Sequence, residues 1–343
     1  MDKITLSHGA GGVETVKMLE KLIFSRVDDD LKKISGGLGI DYPDDAAAIP
    51  VGDGYIVVTT DSYTVNPPFF PETNIGGLAA SGTINDVLML GGRPMAALDS
   101  IIVEEGFPEE DLRKIVDTMI SIFKRHGIAI VGGDFKVMPK DTLDNIVINV
   151  VGIGYADKLI IDKELRPGDK IILTGPIGEH GAVILALQHG FSIEGGELKS
   201  DAKPLVDIMT MLLDKYRDKI HAARDPTRGG VAMALNDWAR ATDTVIVVDE
   251  SRIPLREVVR SYAEMLGIEP MSLANEGVAL LGVDPTVADE ILDEIKSLGY
   301  EDAVIIGEVK QSPKYKGIVL LRSVVGGYRI LEAPRGELVP RIC

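Results

Sequence analysis

Apolar positions along the chain follow two periods, and these mark the elements before any chemistry is considered. Residues 12–26, GVETVKMLEKLIFSR, carry apolar positions at helical spacing. YIVVTT at 55–60 reads as a strand that delivers Asp61 at its end. The stretch 75–91 is small and apolar at helical spacing and carries Asn85 and Asp86. An amphipathic helix is predicted over 110–126, stopped by Gly127. IAIV at 128–131 reads as a buried strand ending in Gly132-Gly133-Asp134, and NIVINVVGIG at 145–154 as another strand.

Near residue 155 the pattern restarts. RPGDKIILTG reads as turn, strand and glycine loop. Helices are predicted near 181–190, 202–219, 228–241, 255–266 and 286–298, and strands near 244–249, 278–283, 302–307 and 317–322. Strands and helices mix in both halves without a strict βαβ rhythm. That favours two α+β domains over a doubly wound sheet, here 1–154 and 155–332. From Ala333 the chain reads APRGELVPRIC, with two prolines, one glycine and neither periodicity, so 333–343 is expected to be a flexible or extended arm. The helix over 76–91 and the strands near Asp61 and Gly154 look too apolar for a solvent-facing domain, and a homodimer burying them is expected.

Apolar residues form 45% of the 343 and charged residues 26%, an ordinary globular mix. No apolar run approaches the ~18 residues of a membrane helix. The start, MDKITLSHGAGG, has no apolar signal core, so a cytoplasmic protein is expected. A net charge of -17 argues against a nucleic-acid binder, yet ATP remains possible where magnesium bridges carboxylates to phosphate. The single cysteine is Cys343, the last residue given. It allows no intramolecular disulfide, and a thiol at a mobile terminus suits a chemical role better than a packing one.

Five acidic sites stand at strand ends or among glycines: Asp44-Asp45 in YPDDAAAI, Asp61 in TTDS, Asp86 in TIND, Asp134 in VGGDFK and Asp225 in ARDPTRGG. Hard oxygen ligands scattered along a chain suit magnesium held against phosphate. Turn chemistry is the competing reading for each one. Ser7-His8-Gly9-Ala10-Gly11-Gly12 precedes a helix and could cradle an anion, though the Gly-Lys-Ser/Thr ending of a P-loop is absent. Gly175 to Gly181, GPIGEHG, invites the same two readings. Glu276 in ANEG, Lys136 after Gly133-Asp134-Phe135, and His8 are the candidate bases and charge stabilisers, with a solvated surface role as the alternative for Lys136 and Glu276.

In order, SHGAGG, DYPDDAAAIP, TTDSYTV, GGLAASGTINDVLMLGGRP, VGGDFKV, LTGPIGEHG, ARDPTRGG and ANEG resemble the ATP-binding superfamily typified by aminoimidazole ribonucleotide synthetase. They span nearly the whole chain. The SHGAGG start and the PRIC end resemble, within it, the hydrogenase expression/formation family HypE. The resemblance implies a two-domain α+β fold whose N-terminal domain dimerises into a shared β-barrel, with ATP in a cleft near the interface. It implies magnesium or phosphate contacts at Asp45, Asp61, Asp86 and Asp134, with Asn85, Gly132, Gly133 and Asp225 as further nucleotide contacts. It implies catalytic roles for Cys343, Glu276 and Lys136, and His8, by its glycine-rich setting, is the second candidate base or a phosphate contact. It also implies partners: a carbamoyltransferase, HypF, that loads Cys343, and an iron-carrying HypC–HypD complex that receives cyanide.

The chemistry fits these parts. A thiocarbamate cannot lose its oxygen as hydroxide at neutral pH, whereas a phosphorylated oxygen leaves readily as a base removes the N–H protons. The arm from Ala333 could reach ~33 Å at about 3.3 Å per residue, enough to carry the thiol between a cleft and an external partner. Another enzyme of the superfamily, or a scaffold delivering an ion through Cys343, are the alternatives. A lone thiol makes a poor soft-metal site.

Overall fold

The computed structural model describes residues 3–191, 193, 197–336 and 342. Helix α1 (Val13–Leu19) leads into the first half, followed by β1 (Ala47–Val51), β2 (Gly54–Tyr63), β3 (Phe69–Phe70), β4 (Thr73–Asn74), α2 (Ile75–Met89), β5 (Arg93–Glu104), α3 (Glu109–Arg125), β6 (Ala129–Met138) and β7 (Ile146–Ala156). Five of these strands form an open sheet in the order β1-β2-β7-β5-β6. All neighbours are antiparallel except β5 and β6.

The second half contains β8 (Lys170–Leu173), α4 (Glu179–Gln188), α5 (Val206–Lys215), β9 (Ile220–Arg224), α6 (Gly230–Thr242), β10 (Val245–Asp249), α7 (Glu257–Leu266), β11 (Leu280–Val283), α8 (Ala288–Ser297), β12 (Val304–Lys310), β13 (Ile318–Arg322) and β14 (Tyr328–Leu331). Its sheet runs β14-β13-β10-β12-β8-β11-β9, and only β10 and β13 pair in parallel. The mixed α+β expectation holds, and most periodic segments lie where the spacing put them. β1, β5, β9 and β14 carry no clean alternation and escape that reading.

Helix α2 explains how the halves join. Asn74 caps it, its Oδ1 accepting from the N–H of Gly76 at 2.9 Å and Gly77 at 3.2 Å. Nearly every residue of α2 is buried, because it lies between β2 and β7 on one side and α3 and α5 on the other. Gly152 and Gly154 on β7 permit this closeness, since a methyl there would overlap Thr83 or Val87. The apolar character of α2 is thus satisfied within one chain and does not itself call for a dimer. The surface that remains bare is β6, an edge strand whose ten residues are all exposed, among them Ile130, Val131, Phe135, Val137 and Met138. That corrects the expected buried strand at 128–131. The strand also runs straight through Gly132-Gly133-Asp134 rather than ending there, and β2 likewise continues past Asp61.

Asn85, also on α2, ties the halves together. Its Nδ2 donates to the carbonyls of Lys203 and Glu276 at 3.2 and 3.3 Å, and its Oδ1 accepts from the Leu205 N–H at 2.8 Å. With both ends of the amide used in full burial, Asn85 serves the join and not a nucleotide, which corrects its expected role. Asn85→Ala would strand buried backbone groups. We expect it to lower stability by about 2–4 kcal/mol, read as an earlier urea midpoint.

Candidate functional site

Carboxylates from both halves meet along the seam that α2 bridges. Asp45 precedes β1, Asp61 lies within β2, Asp86 projects from α2, and Asp225 follows directly on β9. Arg224, the last residue of β9, carries the main countercharge. It lies 2.6 Å from Asp162, 3.3 Å from Asp45, 3.5 Å from Asp237 and 3.7 Å from Asp44. Arg228 stands 3.9 Å from Asp61 in a turn that Gly229 and Gly230 make possible by adopting φ of 78° and 59°. A cleft of about 200 Å³ opens among Gly11, Asp45, Arg224, Asp225, Arg228 and Asp237.

Burial dominates the electrostatics. Asp86 accepts from the Thr59 hydroxyl at 2.6 Å, yet burial, reinforced by the Asp61 charge, pushes its carboxyl up to about 8. Burial also raises Asp45 and Asp225 well above the usual carboxylate range, with the other acids of the group adding to the shift. Asp45 Oδ2 and Asp225 Oδ2 are buried and accept no hydrogen bond. Among the described residues no three Asp, Glu, His or Cys side chains form a ready metal cage. The donor set is instead hard oxygens with unused lone pairs beside an anion-sized cleft. That fits magnesium, which commonly takes one or two carboxylates and completes its shell with phosphates and water.

Glu276 sits close by, 1% exposed, with Oε1 unpartnered. Burial raises its carboxyl well above the usual range, and the charges of Asp201, Asp61 and Asp86 add to that. Asp201 braces the region from below. Its oxygens accept from the backbone N–H of His180 at 3.2 Å, Glu276 at 3.2 Å and Gly277 at 3.1 Å. Burial pushes Asp201 itself up to about 6.

The structure therefore gathers Asp45, Asp61, Asp86, Asp225 and Glu276. It does not gather Asp134 or Lys136, which pair with each other at 2.6 Å on exposed β6, three strands away from β2. Gly132 and Gly133 share that strand; Gly133 is needed there because a methyl would crowd Asp99. Within a single chain Asp134, Lys136, Gly132 and Gly133 stand apart from the cleft, because β7 and β5 lie between their strand and β2. His8 lies in a short 3-10 turn, Leu6–Gly9, where its Nδ1 bonds Thr5 rather than a group of the cleft. Cys343 lies outside the described residues. Its neighbour Ile342 is buried, and the Ile342 carbonyl accepts from His180 Nε2 at 2.9 Å. Sequence reasoning missed Arg224, Arg228 and Asp201. The first two stand within the quoted ARDPTRGG, but an arginine in a loop signals nothing until its partners are known.

Residues 43–156 match the model of the AIR synthase related protein N-terminal domain, and 166–320 that of its C-terminal domain. The carbamoyl dehydratase HypE of Rhizobium leguminosarum bv. viciae is 37% identical over 99% of this chain and 95% of its own length. A crystal structure of a HypE–HypF complex superposes with a TM-score of 0.83 at 36% identity, covering 92% of this chain and 99% of that one. A HypE solved in complex with ATP gives 0.81 at 34% identity, covering 99% and 100%.

A pH dependence follows. The Asp86 carboxyl has a higher pKa folded, about 8, than its ordinary 3.8, so the folded state binds the proton more tightly. Its contribution is therefore favourable at low pH and is lost as pH rises through about 8. Without ligand, the melting temperature is expected to fall between pH 5 and 8. Asp86→Asn should flatten that slope, and an unchanged slope in a calorimetric series would contradict the assignment.

Proposed function

The chain belongs to the HypE family of AIR synthase related proteins, and from that premise we infer that it is an ATP-dependent carbamoyl dehydratase of hydrogenase maturation. It dehydrates a carbamoyl group on its own Cys343 to a thiocyanate, the source of cyanide for the iron centre of a [NiFe] hydrogenase. The observation that carries this reading is the placement of Ile342. The residue covalently joined to Cys343 is buried against His180, and Asp201 links the backbone of His180 to that of Glu276.

The reaction balances in two stages. The thiocarbamate oxygen attacks the γ-phosphorus of ATP, ADP departs, and one N–H proton is lost, leaving an S-bound imidate phosphate. The second N–H proton then leaves as the C–O bond breaks and phosphate departs, giving S–C≡N. Glu276 is the proposed base. Its desolvation makes the carboxylate a strong proton acceptor, and Arg228 is the nearby cation that favours the ionised form. Asp45, Asp61, Asp86 and Asp225 are the residues that would hold magnesium, which supplies charge neutralisation at the transferring phosphate. Gly11 and Arg228 line the same cleft and suit the phosphate chain.

Lys136 and Asp134 gain a role only through assembly. We propose that β6 of two copies pair so that their open sheets close into a barrel, which sets both residues at the seam between copies. The exposed apolar side chains and unpaired edge of β6 support this. HypF as the carbamoyl donor and HypC–HypD as the cyanide acceptor complete the proposed partners.

Intact-mass spectrometry tests the chemistry. With HypF, carbamoyl phosphate, ATP and magnesium, the wild-type chain should show a carbamoyl and then a cyano adduct, and Cys343→Ala neither. Glu276→Gln should bind ATP and accept carbamoyl yet lose dehydration roughly 10²–10⁴-fold. Thiocyanate formed at the normal rate would move the base elsewhere, with His8 the next residue to test. For assembly, Phe135→Asp on β6 should convert a sedimenting dimer to monomer. A wild-type monomer at micromolar concentration would contradict the proposed edge pairing.

A further inference from the structure

His180 is the second residue of α4 and is completely buried. Its ring is fully committed. The Ile342 carbonyl can only accept, so Nε2 donates to it at 2.9 Å, which leaves Nδ1 to accept from the Ser200 hydroxyl at 2.8 Å. Phe70, from the first half of the chain, meets the ring edge-on at a centroid distance of 5.4 Å. Burial lowers the imidazole to about 4, so the ring is neutral and the donor tautomer is fixed by its partners across the physiological range. A buried histidine braced from two elements, whose remaining nitrogen holds the main chain 162 residues away, is a poor candidate for a mere core filler.

The tail is thus held at two stations. At its root, the Pro334 carbonyl accepts from the Val13 N–H at 3.2 Å, and the Gly336 N–H donates to Glu14 at 3.0 Å. At its tip, Ile342 is 4% exposed and joins the core cluster. The two stations differ in kind. Both are buried, with Ala333 5% and Ile342 4% exposed, but the root rests on α1, whereas the tip lies beside the residue that Asp201 binds together with Glu276.

We propose that His180 is a positioning residue that docks the end of the tail for dehydration, its Nε2–H gripping the Ile342 carbonyl while the buried Ile342 side chain completes the hold. This rests on the carbamoyl dehydratase reading and deepens it. Fixing Ile342 fixes the residue covalently next to the carbamoylated thiol, so the acceptor oxygen and the N–H protons present one orientation instead of many. One hydrogen bond and one aliphatic side chain also make a grip weak enough to release, as a thiol that is loaded outside and converted inside requires. Asp201 gives the dock its register, because the same carboxylate that holds the His180 backbone holds the Glu276 backbone.

The test compares His180→Phe, which keeps a ring but removes the donor, with His180→Gln, whose amide can replace Nε2–H. Both are made in the full chain. Two rates are measured: alkylation of Cys343 by iodoacetamide in the resting protein, and single-turnover conversion of the carbamoyl to the cyano adduct after loading by HypF. His180→Phe should alkylate roughly five- to tenfold faster and dehydrate slower by a similar factor, the size expected for one lost hydrogen bond. His180→Gln should recover most of both. ATP affinity should stay at the wild-type value, which a general loss of structure would not allow, while loading by HypF, which needs the thiol undocked, should rise with alkylation. A folded His180→Phe that alkylates and dehydrates like wild type overturns the proposal. If His180→Phe does not fold, Ile342→Gly decides, because it loosens the same dock from the tail side. It should raise alkylation similarly, and wild-type protection of Cys343 in that variant overturns the proposal. If wild type itself forms no thiocyanate, the dehydratase reading fails, while the alkylation rates still judge the dock.

Discussion

The structure is organised around a shortage of positive charge in a dry place. Asp44, Asp45, Asp162 and Asp237 surround the single guanidinium of Arg224, and Asp86, Asp225 and Glu276 follow with little further compensation. Burying like charges is costly, and a chain tolerates it only where the rest of the fold is over-determined. Here that surplus comes from α2, sealed on all sides, and from Asn85, which stitches it to the second half through three buried bonds. The seam is therefore rigid by packing and poised by electrostatics. Its carboxylates are raised by burial and left short of partners rather than neutralised by their neighbours, which is what the proposed magnesium would use.

Much of this was legible in the residues, for definite reasons. Asp45, Asp61 and Asp86 declare themselves because each stands where a solvated charge has no business, beside small or strand-forming neighbours. Glu276 does so because an apolar strand follows it. The elements legible from spacing are those with one buried face, such as α3 and β7. What stayed hidden depends on long-range placement. Asn85 and Asp86 are adjacent and equally suggestive, yet the helix turns one toward a domain join and the other toward the cleft. Asp134, after two glycines, looks as suggestive as Asp86 on its helix, and only the sheet order shows that β7 and β5 stand between its strand and β2. Asp201 sits in KSDAK, an ordinary loop sequence, and acquires meaning only through three backbone N–H groups that arrive from elsewhere.

Asp201 also shows how a site can gain precision from a residue that touches no reactant. One carboxylate spans the start of α4 and the loop that carries Glu276, so the proposed dock for the tail and the proposed base cannot drift apart independently. A loop-borne base would otherwise wander by the ångström that separates productive from idle geometry.

The open edge at β6 carries a cost that is paid during synthesis. A ten-residue strand with apolar side chains and bare backbone groups is a template for any extended peptide it meets. Until that edge is covered, a newly made chain competes for partners with every other unfinished chain nearby. Under the proposed pairing of two copies at β6, the yield of usable protein should then depend on how quickly sister copies meet, and so on how close together they are translated. Scarce expression would waste more of the product than its intrinsic folding stability suggests.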